Sequence, residues 1–132
     1  MIVDTSAVIE FLRGTGSFTH RALARALVNE TALWLPAVVV QEVLQGARDA
    51  SHFIRLQAQI DQLPVFEPED THELHRQAAL LYARCRWQGV TVRSAMDCVV
   101  AACALEAVLP LLARDRDFAD ICRIEPKLKL VC

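Results

Sequence analysis

Met1-Ile2-Val3-Asp4-Thr5-Ser6 opens the chain. A short apolar run ends in an acid, and Ala7-Val8-Ile9-Glu10-Phe11-Leu12 follows at once with helix-like composition. Read as a strand and then a helix, this is the first half of an α/β unit. Ligands of open α/β sheets sit outside the carboxyl ends of the strands, so Asp4 stands where such a fold does its chemistry. Thr5 and Ser6 add hydroxyls at the helix N-terminus. The alternative is that Asp4 or Ser6 only caps the helix.

Outward from this unit, strands and helices alternate. Strands are expected at residues 1–3, 31–35, 109–113 and 127–131, with 63–66 a short strand or an extended link between Pro64 and Pro68. Helices are expected over 6–13, 18–29, 52–62 and 98–105. Another starts at Pro36, the first helical position where proline is best tolerated. A further helix is capped by Asp70 or Thr71 and carries the stripe Leu74, Ala78, Leu81, Tyr82 and Cys85. A short one ends near Cys122. Gly14-Thr15-Gly16 and Gln88-Gly89 act as stops. No linker or repeat interrupts residues 1–132. The alternation predicts one α/β domain: a three-layer α/β/α, Rossmann-like fold with a central parallel sheet of about four to five strands.

The chain has 132 residues, 54% of them hydrophobic, enough for one sizeable core. Its net charge of −2 gives no global field to attract nucleic acid, so any such site must be local or use bound cations. Asp4 interrupts the N-terminal apolar stretch, which argues against a signal peptide. The apolar run from Cys98 to Ala113 contains Glu106 and Pro110 and is too broken to span a bilayer. A soluble, cytoplasmic protein is expected, with some apolar surface covered by a partner or a second copy. The five cysteines, Cys85, Cys98, Cys103, Cys122 and Cys132, form no C-x-x-C pair, which argues against zinc or a disulfide framework. His72-Glu73-Leu74-His75 is one residue short of H-E-x-x-H and reads as a polar helix face.

The acids stand out as a set. Asp4 follows the first strand. Glu42 is the one acid within Ala37-Val38-Val39-Val40-Gln41-Glu42-Val43-Leu44. Asp97 opens an apolar helix, where Ser94-Ala95-Met96-Asp97 also resembles a capping box. Asp115 follows the strand at 109–113, with Asp117 behind it. Acids in apolar surroundings are usually paired or bind metal. Here the only cations near them in sequence are Arg93, Arg114 and Arg116. Two like charges about 4 Å apart repel by roughly 4 kcal/mol at an effective dielectric near 20. If the acids converge, they must take up protons or hold a cation. Oxygen-only ligands select Mg²⁺ or Mn²⁺ over zinc, and such ions favour phosphate oxygens as further ligands. That chemistry is metal-assisted attack of water on a phosphodiester, with one carboxylate holding or deprotonating the water.

These stretches also carry a family resemblance. Met1-Ile2-Val3-Asp4-Thr5-Ser6-Ala7, Pro36 through Glu42, Thr91-Val92-Arg93-Ser94-Ala95-Met96-Asp97-Cys98 before Val-Val-Ala-Ala, and Leu111-Leu112-Ala113-Arg114-Asp115-Arg116-Asp117-Phe118 resemble, in order, the motifs of PIN-domain ribonucleases. Within that group the chain is similar to the VapC-type toxins of toxin–antitoxin pairs. The resemblance implies a PIN-like fold. It implies that Asp4, Glu42, Asp97 and Asp115 are the catalytic quartet that holds Mg²⁺ or Mn²⁺, with Asp117 as an auxiliary acid. Thr5 or Ser6 would orient a metal or a water. It also implies a homodimer and a VapB-type antitoxin that blocks the site, as an inserted Arg or Lys could. Many relatives carry Thr or Ser where this chain has Ala113, which removes one hydroxyl from beside the acids.

RNA would need cationic contacts. Arg13, Arg86, Arg93, Arg114 and Arg116 are the candidates, against solvation or carboxylate pairing. Trp34 and Trp87 could stack bases, although core or dimer packing is the commoner use. Two rival readings stand. One is a non-catalytic binding module on the same fold. The other is a phosphatase with Asp4 as aspartyl nucleophile. That enzyme usually has a second Asp two residues on, where this chain has Ser6, and a mid-chain lysine that is absent here.

Overall fold

The computed structural model describes residues 1–131; Cys132 lies outside the described residues. Seven helices surround a small parallel sheet. Strand β1 (Ile2–Val3) leads into α1 (Thr5–Arg13) and α2 (Phe18–Val28). Then come β2 (Leu35–Pro36), α3 (Ala37–Gln45), α4 (Ala50–Ile60), β3 (Val65–Phe66), α5 (Thr71–Trp87), α6 (Ala95–Ala107), β4 (Leu111–Leu112) and α7 (Asp117–Ile124).

β1 pairs in parallel with β4, Ile2 opposite Leu111 and Val3 opposite Leu112. β2 pairs in parallel with β3. A parallel bridge from Ile2 to Trp34 joins the two pairs, and another from Leu111 to Leu130 extends the far edge. The lateral order is β3-β2-β1-β4, then Leu130. The chain walks outward from β1 to β3, then returns to β4 on the other side of β1. The crevice between the carboxyl ends of β1 and β4 is therefore the topological switch point. The expected three-layer parallel α/β architecture is present.

Burial follows from composition. Ile2, Val3, Leu111 and Leu112 are each 0% exposed, as befits central parallel strands covered on both faces. α6 is apolar nearly all round and buries Cys98, Val100, Ala101, Ala102, Cys103 and Ala104. Its alanines let α5 approach closely, and α6 also meets α3 and α7. The buried Cys98 and Cys103 thiols are pushed up to about 12 by burial, so they pack as small core residues. Among the described residues Cys85, Cys98, Cys103 and Cys122 are free thiols. No helix of the described residues is long and apolar enough to cross a membrane.

Several boundaries differ from the sequence reading. The strand expected at 31–35 is shifted to Leu35–Pro36, because Trp34 meets β1 only through single backbone bonds on either side. Pro36 closes β2 and is the N-cap of α3, with ψ 145°, and is not its first helical residue. The strand expected at 109–113 keeps only Leu111–Leu112, because the Leu109 N–H is held by the Ala104 carbonyl at the end of α6. The strand expected at 127–131 is reduced to the Leu130 bridge, since a turn at Glu125 takes up the Leu128 N–H. α6 starts at Ala95, earlier than expected, and runs on to Ala107.

Candidate functional site

Asp4 ends β1 and caps α1. Its Oδ2 accepts from the Ser6 N–H at 2.9 Å and from Ser6 Oγ at 2.5 Å. Capping and burial coexist here, for Asp4 is only 4% exposed. Burial pushes its carboxyl up, against the Ser6 hydrogen bonds that favour the charge, and the Glu42 charge adds to the rise. Ser6 Oγ also accepts from the Arg114 N–H at 2.9 Å, which ties the end of β1 to the end of β4. Thr5 Oγ1 donates to Glu42 Oε1 at 2.9 Å, so α1 holds the carboxylate that α3 presents. The two hydroxyls read from sequence as orienting groups thus orient carboxylates and backbone.

Asp97 sits in the first turn of α6. Ser94 caps that helix by accepting from the Met96 N–H at 3.2 Å. Among the described residues the return bond of a capping box, from the Ser94 N–H to the Asp97 carboxylate, is not made. Asp97 instead faces the other acids. Burial first, then the charges of Asp4, Asp115, Asp117 and Glu42, push its carboxyl up to about 7. That ordering places the remaining four acids around one group, with Glu42 contributing least.

Asp115 and Asp117 follow β4. Carboxylate oxygens of Asp97, Asp115 and Asp117 all lie within 4.8 Å of one another. Asp117, an auxiliary acid by the family resemblance, is the most buried of the three at 3% exposed. Asp115 Oδ1 accepts from the Asp117 N–H at 2.9 Å. Arg93 lies across both: Nε donates to Asp117 Oδ2 at 3.1 Å, and a terminal N–H donates to Asp115 Oδ1 at 2.9 Å. Its backbone N–H also donates to Asp117 Oδ2, at 3.1 Å. Burial works to raise the Asp117 carboxyl, but the Arg93 bonds and charge outweigh it and hold it below the usual carboxylate range. The same bonds to Asp117, then the charges of Asp117 and Asp115, raise Arg93.

The arginines therefore divide. Arg93 is taken up by carboxylates. Arg114 pairs with Glu10 at 3.0 Å, a partner 104 residues away in sequence that no local spacing singles out. Arg13, Arg86 and Arg116 are exposed. Trp34 packs partly buried against the core, whereas Trp87 does not join it.

The donor set is carboxylate oxygen only, closely spaced and part-buried. It fits a hard divalent cation such as Mg²⁺ or Mn²⁺. Asp97, Asp115 and Asp117 offer oxygens within 4.8 Å of one another; Asp4 and Glu42 lie outside that close group but their charges act on Asp97. Among the described residues no lysine or arginine is paired with Asp4, Glu42 or Asp97. Part of the negative charge is thus left without a side-chain counterion.

The sequence matches the family model of the PIN domain over residues 1–124. It is 35% identical over 125 residues to ribonuclease VapC11 of Mycobacterium tuberculosis, covering 94% of this chain and 92% of that one. Among solved structures it is similar to VapBC-1 of nontypeable Haemophilus influenzae, with TM-score 0.75 and 15% identity over 98% of this chain and 95% of that one. It is also similar to VapBC2 of Rickettsia felis bound to a promoter DNA fragment. That match has TM-score 0.73 and 14% identity over 98% of this chain and 96% of the other.

Proposed function

The chain belongs to the PIN-domain family, and on that premise we propose that it is a metal-dependent endoribonuclease, the toxin of a VapBC-type toxin–antitoxin pair. The observation that carries this reading is the convergence of Asp97, Asp115 and Asp117, whose carboxylate oxygens all lie within 4.8 Å of one another, with burial and the neighbouring acids pushing Asp97 up. An acid so placed is a general base matched to neutral pH, or a ligand in need of a cation. Mg²⁺ or Mn²⁺, when bound, supplies positive charge for the phosphate oxygens and makes water more acidic.

In this reading Asp4, Glu42, Asp97 and Asp115 are the catalytic quartet, and Asp117 is a further ligand. Asp97 holds the attacking water or takes its proton. Ser6 keeps the Asp4 carboxylate in one orientation. Thr5 does the same for Glu42. Arg93 fixes the mutual placement of Asp115 and Asp117 and leaves part of its guanidinium exposed toward substrate. Arg13, Arg86, Arg114 and Arg116 supply cationic surface for the RNA backbone. The substrate is transfer RNA or ribosomal RNA, in the cytoplasm. The protein acts as a homodimer, and a VapB-type antitoxin silences it. The relative's name supports the ribonuclease assignment, and the similar VapBC folds, one of them a member of the VapBC family of toxin-antitoxin systems, support the toxin–antitoxin pairing.

The decisive assay uses labelled RNA with Mn²⁺, with and without a chelator. Cleavage that the chelator abolishes is the expected result. A binding module would leave the RNA intact under both conditions. An aspartyl-nucleophile phosphatase would release phosphate from a small monoester and spare the RNA.

A further inference from the structure

Trp87 is the last residue of α5 and is 69% exposed, although an indole is among the costliest side chains to leave in water. Among the described residues it makes no ring contact and takes no part in the core. Its support is rigid. The Gln88 N–H closes on the Arg84 carbonyl, the Gly89 N–H on Arg86, and the Val90 N–H on Cys85 at 2.9 Å. Gly89 adopts φ 73°, the left-handed turn that ends the helix. The indole is therefore held on a helix end, not on a wandering loop.

From this end the chain runs directly into the acid site. Val90 is anchored to the last turn of α5, and the Arg93 N–H is bonded to Asp117. Three residues span at most about 10 Å. From Trp87 to Arg93 the chain is six residues, at most about 20 Å, which one bound RNA strand of a few nucleotides spans.

Its surroundings decide what it can take. Arg86, Gln88, Gly89 and Thr91 beside it are all exposed. Arg84 is committed to Glu125 and the Ile124 carbonyl, both at 2.8 Å, whereas Arg86 forms no ion pair among the described residues. An anchor for a protein partner sits in an apolar pocket ringed by further contacts. An exposed indole next in sequence to an unpaired guanidinium offers a ring face and a cation, the two groups that an unpaired base and its phosphate need.

We propose that Trp87 is a stacking platform for an unpaired RNA base within a few nucleotides of the cleaved phosphate, with Arg86 meeting the backbone nearby. This rests on the ribonuclease reading. It makes the substrate single-stranded at that position, a loop or an end and not a continuous duplex.

The test uses a short single-stranded RNA that the wild-type enzyme cuts, and copies of it with one base removed at each position near the cut. Trp87→Ala is expected to raise KM about tenfold (about 1.4 kcal/mol) with kcat within about twofold. Trp87→Phe should recover most of the loss, because a phenyl ring still stacks. In the wild type, removing one particular base should cost as much as Trp87→Ala. In Trp87→Ala, removing that base should cost nothing more. An unchanged KM for a folded Trp87→Ala overturns the proposal, and so does a loss that simply adds to that of every base removal. A shifted oligomeric state with KM unaltered assigns the indole to a protein contact instead. If the wild type itself cuts no RNA, the ribonuclease reading falls first and takes this one with it. If the wild type cuts and Trp87→Ala equals it, only the platform falls.

Discussion

At Asp97, stability and chemistry pull in opposite directions. Its carboxyl is pushed up to about 7 by burial and by neighbouring acids, whereas an unfolded chain ionises it near 4. Between these values the metal-free native state binds the extra proton. Stability contributed by this group is then fully present below about pH 4, and it is lost as pH rises from there through about 7. Metal-free protein should resist urea better at pH 5.5 than at pH 8, and saturating Mg²⁺ should flatten the difference. Asp117 opposes this only at lower pH, because its depressed carboxyl loses its contribution as pH falls through its own range. Asp97→Asn should cut RNA at least about a hundredfold more slowly while leaving the metal-free fold as stable as before or more so. Wild-type cleavage by that variant would reduce Asp97 to a helix residue. Asp4, Glu42, Asp97 and Asp115 could be picked out in the sequence because the first three interrupt apolar stretches and Asp115 follows one. Carboxylate pairing stood open for Arg93 in the sequence, but which two acids take it up, and the double use of the Ser6 hydroxyl, did not show there. Both join segments distant in sequence, and no local spacing encodes them.

Individual elements carry their own strains and ties. α6 ends at Val108, which adopts φ 54° and is 87% exposed. A β-branched residue in the left-handed region is strained, and no buried contact compensates here. Val108→Gly should stabilise the protein by about 0.5–1 kcal/mol after the entropic cost of glycine, with RNA cleavage unchanged. Thermal melting and a cleavage assay together would show it. Ser6→Ala acts on a tie between elements. It removes a donor to Asp4 and the acceptor for the Arg114 N–H, for an expected loss of about 1–3 kcal/mol. It should also push the Asp4 carboxyl further up, so the optimum pH for cleavage should rise. A variant with wild-type stability and pH profile would show that water replaces the hydroxyl fully. The helices were legible to within a few residues, because their apolar stripes and stops are local. The strands were overestimated. A two-residue parallel strand is limited by where its neighbours stop bonding, and residues 109–113 read alike whether all or two of them pair.

For the molecule as a whole, charge left without a counterion defines how it can be silenced. Arg93 already lies across Asp115 and Asp117, so the site accepts a guanidinium. Asp4, Glu42 and Asp97 have no such partner among the described residues. An antitoxin that inserts an Arg or Lys there would compete with the metal. Raising Mn²⁺ should then weaken inhibition, and replacing the inserted cation by Ala should restore cleavage while much of the binding survives. Inhibition blind to Mn²⁺, with every basic residue of the antitoxin dispensable, would leave steric cover as the mechanism. The bond from Arg114 to Ser6 also joins residues 108 apart in the chain. Pairings of such sequence separation form late and slowly. While the protein is being translated, β1 has no β4 to lie against, and Asp115 and Asp117 have not yet left the ribosome. A stalled chain ending before residue 109 holds only part of the acid wall. The full set of carboxylates is thus assembled only at the end of synthesis, when β4 pairs with β1.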